Sequence, residues 1–156
     1  MNKRIIIGLG PGFCGLKNLA ILAGIPHANH PRLPWSSTTL SVAQRVARLP
    51  ATDGVAGEAC WYYLPFAEMI IGGFPASICA CLLPTKDEFM RRACGRLDFT
   101  QDDTLPRWYA SNDEATEMYW GMYVAWSHSI AEVFPTRFRI FPDVTSRGLV
   151  EFLNGK

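Results

Sequence analysis

The first 52 residues contain no acidic side chain; Asp53 is the earliest. Six cations precede it: Lys3, Arg4, Lys17, Arg32, Arg45 and Arg48. That asymmetry predicts a local positive field favouring anionic ligands. The whole chain carries a net charge of only +1, which gives no case for nucleic acid. Also missing is any C-x-x-C pair. The five cysteines, Cys14, Cys60, Cys79, Cys81 and Cys94, lack metal-ligand spacing, and most lie far from the three histidines. No zinc or other metal site is expected. Buried thiols in a reducing compartment account for them. No uninterrupted apolar run is long enough to span a membrane. The basic start, Met1 to Arg4, is followed by an apolar run broken by Gly8, Gly10, Pro11, Gly12 and Gly15, which reads as a strand and turn instead of a leader. A cytoplasmic protein without membrane contact is expected. Internal repeats and low-complexity segments are absent too.

What is present reads as one α/β domain over residues 1–156. Hydrophobic residues make up 49% and charged residues 19%, the balance of a globular chain with a proper core. Ile5-Ile6-Ile7 predicts a buried strand. Residues 16–23 predict a helix stopped by Gly24, and 41–49 a short amphipathic helix. Residues 50–58 read as a small-residue linker. Trp61 to Ile71 is aromatic and apolar, with a helix beginning near Pro65 and ending at Gly72-Gly73. Residues 77–83 predict a second strand, with Cys79 and Cys81 on one face. Residues 85–94 predict a helix, with Asp87 and Glu88 early and Arg91 and Arg92 late, as its dipole favours. A polar loop over 95–112 precedes a long aromatic helix over 114–133, a strand over 137–141 and a last helix over 146–153. Strands alternating with helices imply a mainly parallel sheet covered on both faces.

In such a sheet the turn after the first strand is the expected ligand site. Gly10-Pro11-Gly12-Phe13-Cys14-Gly15 follows a strand and opens a helix, and its glycines let backbone N–H groups approach an anion. As a dinucleotide fingerprint it lacks the acid expected roughly 20 positions later. As a triphosphate loop it has Leu16 where lysine belongs, Lys17 one place late and Asn18 for the hydroxyl, which disfavours magnesium-dependent chemistry.

The run from Gly10 to Ala20 resembles the G-T-G-R-C-G-T-K-S-L-A loop of some P-loop sulfotransferase-like proteins. His27 to Pro31 with Leu33-Pro34-Trp35 resembles their H-E-x-x-P-x-L-P-W segment. Tyr63-Leu64-Pro65-Phe66, Phe74-Pro75 and the strand ending Cys81-Leu82 are similar to their central region. Tyr119-Trp120, Tyr123, Phe134-Pro135, Arg137-Phe138 and Phe152-Leu153-Asn154 are similar to their C-terminal part. The matches keep their order along nearly the whole chain. The resemblance implies a P-loop nucleoside triphosphate hydrolase-like three-layer sandwich with a short mainly parallel sheet. It also implies transfer of a sulfuryl group from 3′-phosphoadenosine 5′-phosphosulfate to a hydroxyl or amine.

By that resemblance Gly10, Gly12, Phe13, Cys14, Gly15, Leu16, Lys17 and Asn18 hold the 5′-phosphosulfate. His27 is the candidate base and Lys17 the candidate stabiliser of leaving-group charge. The family's loop arginine is Phe13 here, its hydroxyls are Leu16 and Asn18, and the acid after the histidine is Ala28. Its 3′-phosphate arginine and serine fall at Pro84 and Arg92. Arg91, Arg92 and Arg96 are the candidate replacements. Because one lost oxyanion donor costs about a hundred- to a thousandfold in rate, activity is expected to be weakened or lost. Two other expectations stand beside this one. One is a non-catalytic binding or assembly module that keeps the fold; the other is a phosphate- or nucleotide-binding protein with a different reaction. Trp61, Tyr62, Tyr63, Trp120, Tyr123 and Trp126 read as core packing before they read as an acceptor pocket.

Overall fold

The computed structural model describes residues 3–28, 39–94 and 112–155. Strand β1 (Arg4–Leu9) lies at the centre of a five-stranded sheet. Helices α1 (Leu16–Ala23) and α2 (Thr39–Ala47) follow, then β2 (Ala51–Thr52) and β3 (Val55–Ala59). A 3-10 helix (Trp61–Phe66) leads into α3 (Ala67–Gly73), β4 (Ser77–Leu82) and α4 (Lys86–Ala93). The last elements are α5 (Asn112–Val133), β5 (Phe138–Phe141) and α6 (Arg147–Leu153). The sheet order is β2-β3-β1-β4-β5; only β2 runs antiparallel to its neighbour.

Alternation along the strands separates two cores. Ile5, Ile7 and Leu9 of β1, with Cys79 and Cys81 of β4, face a layer built from α2, α3, α5 and the 3-10 helix. Ile6, Ala59, Ala80 and Leu82 face α1 and α6 through Leu19, Leu149 and Phe152. Burial on both faces explains the apolar runs of β1 after Arg4 and of β4 after Ser77. The two cysteines of β4 share a face, as their spacing requires.

The stretch expected as a linker is a hairpin. Asp53 and Gly54 both have positive φ, 52° and 80°, the signature of a primed two-residue turn. β3 escapes a hydrophobic reading because it has no room for bulk. A Cβ on Gly57 would lie 2.1 Å from the Ile6 carbonyl oxygen, and one on Gly8 would lie 2.8 Å from Ala59 Cβ. Small residues let β1 and β3 press together beneath α1.

From β1 the chain moves outward to β3, crosses back to β4, and moves outward again to β5. The direction of winding therefore reverses between β1 and β4. Crevices beyond the carboxyl ends of strands at such a reversal are where open α/β sheets bind ligands. Here that place is bounded by the glycine turn after β1 and by Leu83 to Thr85 after β4. Among the described residues no helix is long and apolar enough to cross a membrane.

Candidate functional site

The glycine turn is tied at its mouth. The Gly10 N–H donates to Tyr123 Oη at 2.8 Å, and that hydroxyl donates to the Trp61 carbonyl at 3.3 Å. Tyr123 is buried on α5, so α5 and the 3-10 helix jointly hold the end of β1. Within the turn the Gly12 N–H donates to the Gly10 carbonyl at 2.8 Å. Gly12, Phe13 and Gly15 take φ of 80°, 49° and 97°. Glycine bears this left-handed geometry without strain; a phenylalanine costs about 1–2 kcal/mol there. Gly15 caps α1, its carbonyl accepting the Leu19 N–H at 3.0 Å.

The inner side of the turn is filled by sulfur. A Cβ on Gly10 would lie 2.2 Å from Cys14 Sγ, 2.9 Å from the Leu82 carbonyl oxygen and 3.5 Å from Leu16 Cδ2. Burial pushes the Cys14 thiol up to about 12, and Cys81 adds to the rise. Backbone hydrogen bonds from Cys14, Gly12 and Leu16 to the sulfur act the other way, but burial wins. Cys14 is therefore a neutral thiol in ordinary buffers, without nucleophilic character. Leu16 is buried beside it, while Phe13, Lys17 and Asn18 are exposed.

Among the described residues, Arg92 of α4 is the one distant candidate that the fold brings to the turn. Its Nη1 donates to the Phe13 carbonyl at 3.3 Å and its Nη2 pairs with Glu88. Arg91 is exposed on the same helix, with no hydrogen bond or ion pair to the turn among the described residues. His27 lies elsewhere on the carboxyl edge. It bridges Ala59, which pairs with Gly8, so two strand spacings of about 10 Å separate His27 from Gly8. Arg96 and residues 29–38, with His30, Leu33, Pro34 and Trp35, lie outside the described residues. Among the described cations of the N-terminal third, Lys17 lies at the turn, but the others do not join it. Lys3 and Arg4 sit at the opposite end of β1, donating to the Leu49 carbonyl at 2.6 Å and the Phe152 carbonyl at 3.2 Å.

One buried polar cluster carried no motif. Glu58 of β3, 7% exposed, accepts from Arg45 Nη2 at 2.7 Å and from Arg45 Nε at 3.1 Å. Tyr63 Oη donates to Glu58 Oε2 at 2.5 Å and accepts from Arg45 Nε at 2.9 Å. Burial and the Glu58 carboxylate hold the Tyr63 phenol well above its usual range. The only legible signal was an acid inside a run of small apolar residues. Breaking a buried pair costs about 3–5 kcal/mol. The Arg45 side chain is 34% exposed, so Arg45→Met should cost less, about 2 kcal/mol. Arg45→Lys, which keeps the charge but loses the fork, should cost about half that. Urea unfolding of both variants checks it; equal losses would mean that the fork contributes nothing.

Compared with known proteins, the chain matches no family model, no curated protein and no solved structure.

Proposed function

We propose that this is a sulfotransferase-like protein with a P-loop hydrolase-like fold. In this reading the Gly10–Asn18 turn takes the phosphosulfate end of 3′-phosphoadenosine 5′-phosphosulfate, and transfer to a hydroxyl or amine is weak. The observation that carries it is one of position. The turn, with its three left-handed residues, leaves the central strand at the winding reversal, opens α1, and meets Arg92 from the helix after β4. The ordered series of motif resemblances adds the choice of ligand.

In the reaction, an acceptor oxygen or nitrogen bonds to sulfur while the bridging S–O bond breaks, and the acceptor's proton passes to a base. Lys17, exposed in the first turn of α1, would stand near the leaving phosphate. The N-terminal end of α1 adds its own partial positive charge. His27 is the weak part: about 10 Å from Gly8, it reaches an acceptor only if that acceptor spans the β3 end of the carboxyl edge. Positioning and electrostatics would carry the rate, as in other group transfers to an oxyanion leaving group.

Adenosine 3′,5′-bisphosphate at tenfold its Kd should raise the melting temperature by about 4 °C. No shift at millimolar ligand overturns the donor site. Equal stabilisation by ATP or inorganic phosphate points instead to a general phosphate binder. One observation favours the non-catalytic module: Cys14 Sγ and Leu16 pack against Gly10, where a bound oxyanion would approach the backbone. Bisphosphate binding without transfer of labelled sulfuryl to any acceptor would decide for that reading.

A further inference from the structure

Helix α4 begins with Thr85, whose Oγ1 accepts the Glu88 N–H at 3.3 Å. Thr85-Lys86-Asp87-Glu88 has the residues of a capping box, in which the Glu88 carboxylate would return to the Thr85 N–H. It does not return. It points one turn along the helix and pairs with Arg92, whose other terminal nitrogen donates to the Phe13 carbonyl. The guanidinium thus spans an acid on its own helix and the backbone of the glycine turn. Both partners are oxygen acceptors of the kind that a phosphoryl or sulfuryl group offers.

We propose that Glu88 is a positioning residue that restrains anion binding at the turn. It holds Arg92 beside Phe13, partly neutralises its charge, and competes with the ligand for its Nη2. An arriving phosphate takes Glu88's place on the guanidinium. The released carboxylate then lies within reach of the Thr85 N–H and completes the capping box, which offsets part of the cost of breaking the pair. This inference rests on the proposed donor site. It adds the device that sets the site's affinity, and it makes α4 the element that responds to ligand.

The test is calorimetric titration of adenosine 3′,5′-bisphosphate into four forms of the full chain: wild type, Glu88→Gln, Arg92→Gln and the double variant. Glu117→Gln serves as the charge control. It removes one negative charge from the ion pair with Lys86 where α5 faces α4, and it leaves Arg92 untouched. Glu88→Gln should tighten binding three- to tenfold, about what removing one exposed like charge and one competing ion pair yields. Glu117→Gln should stay within about twofold. Arg92→Gln should weaken binding, and in the double variant the gain from Glu88→Gln should vanish. A gain in Glu88→Gln that persists without Arg92, or that Glu117→Gln equals, overturns the Glu88 role while leaving the donor site standing. Binding by none of the forms overturns both. A simple folding role for Glu88 cannot produce a tighter variant.

Discussion

Raising the pH from 8 to 10 should lower the melting temperature of this protein by about 15 °C. Four thiols, Cys14, Cys60, Cys79 and Cys81, are buried in the fold. Burial pushes Cys60 up to about 11, and Cys14 and Cys81 up to about 12, from an ordinary value of 9.0. Cys79 is raised further by burial, with Cys81 adding to it. A folded-state pKa above the unfolded value means stability that is fully present below pH 9. It is lost as pH rises from 9 toward 11 and beyond, because the unfolded chain sheds protons that the folded chain keeps. By pH 10 each thiol has cost a little over about 1 kcal/mol, and the four together roughly 5 kcal/mol, comparable with the whole stability of a small domain. Tyr63, Tyr119 and Tyr123, also raised chiefly by burial, steepen the loss above pH 10. Circular-dichroism melts under reductant at half-unit steps check this. Cys79→Ala should remove about a quarter of the slope between pH 9 and 10, whatever it does to the neutral-pH melting temperature. A melting temperature constant from pH 8 to 10 would show that these thiols ionise as readily in the folded chain as in water.

The same burial shows which parts of the molecule were legible in the sequence. β1 and β4 announce themselves because, after Arg4 and Ser77 at their starts, residues buried on both faces leave apolar runs, 5–9 and 78–82. α4 does so because Thr85, Asp87, Glu88, Arg91 and Arg92 follow the charge and capping preferences of a helix. β3 was not legible, since its packing against β1 selects Gly57 and Ala59 for smallness, and smallness also marks a linker. Its turn did carry a signal, Asp53-Gly54, of the kind that makes hairpins. The aromatic stretches turned out largely as core: Tyr62, Tyr63, Tyr119 and Tyr123 are buried, while Trp61, Trp120 and Trp126 pack at its edge.

At the site, sequence reasoning could place what is contiguous and what the helix dipole favours. The turn follows from its glycines and its strand, and Arg92 from its place on α4. Tyr123 was not legible as part of the turn, because a tyrosine in an aromatic helix looks the same whether its hydroxyl holds Gly10 or packs elsewhere. Nor was the spread of the early cations. A count of charges along the chain does not say that β1 separates Lys3 and Arg4 from the turn by its own length, about 17 Å.

Gly10→Ala is the substitution that tests the turn most directly, and it should destabilise the protein by about 3 kcal/mol or more. The added methyl would lie 2.2 Å from Cys14 Sγ and 2.9 Å from the Leu82 carbonyl oxygen. The first clash is with a side chain and the second with the backbone of the neighbouring strand, so only one of them can be removed. Removing it is informative. In Gly10→Ala/Cys14→Ala the sulfur is gone and the new methyl occupies part of its volume, so roughly half of the loss should return. The loop hydrogen bonds that now meet the sulfur lose their acceptor in the single variant Cys14→Ala. If the turn is an anion cradle that Cys14 fills, that variant should bind adenosine 3′,5′-bisphosphate severalfold more tightly than wild type while melting at a lower temperature. Urea unfolding and calorimetric titration on the same three variants separate the outcomes. A Gly10→Ala variant as stable as wild type would show that the Cys14 side chain does not occupy the turn. A Cys14→Ala variant that loses stability without gaining affinity would show that the sulfur is ordinary core. In that case the three left-handed residues would shape the start of α1 and nothing more.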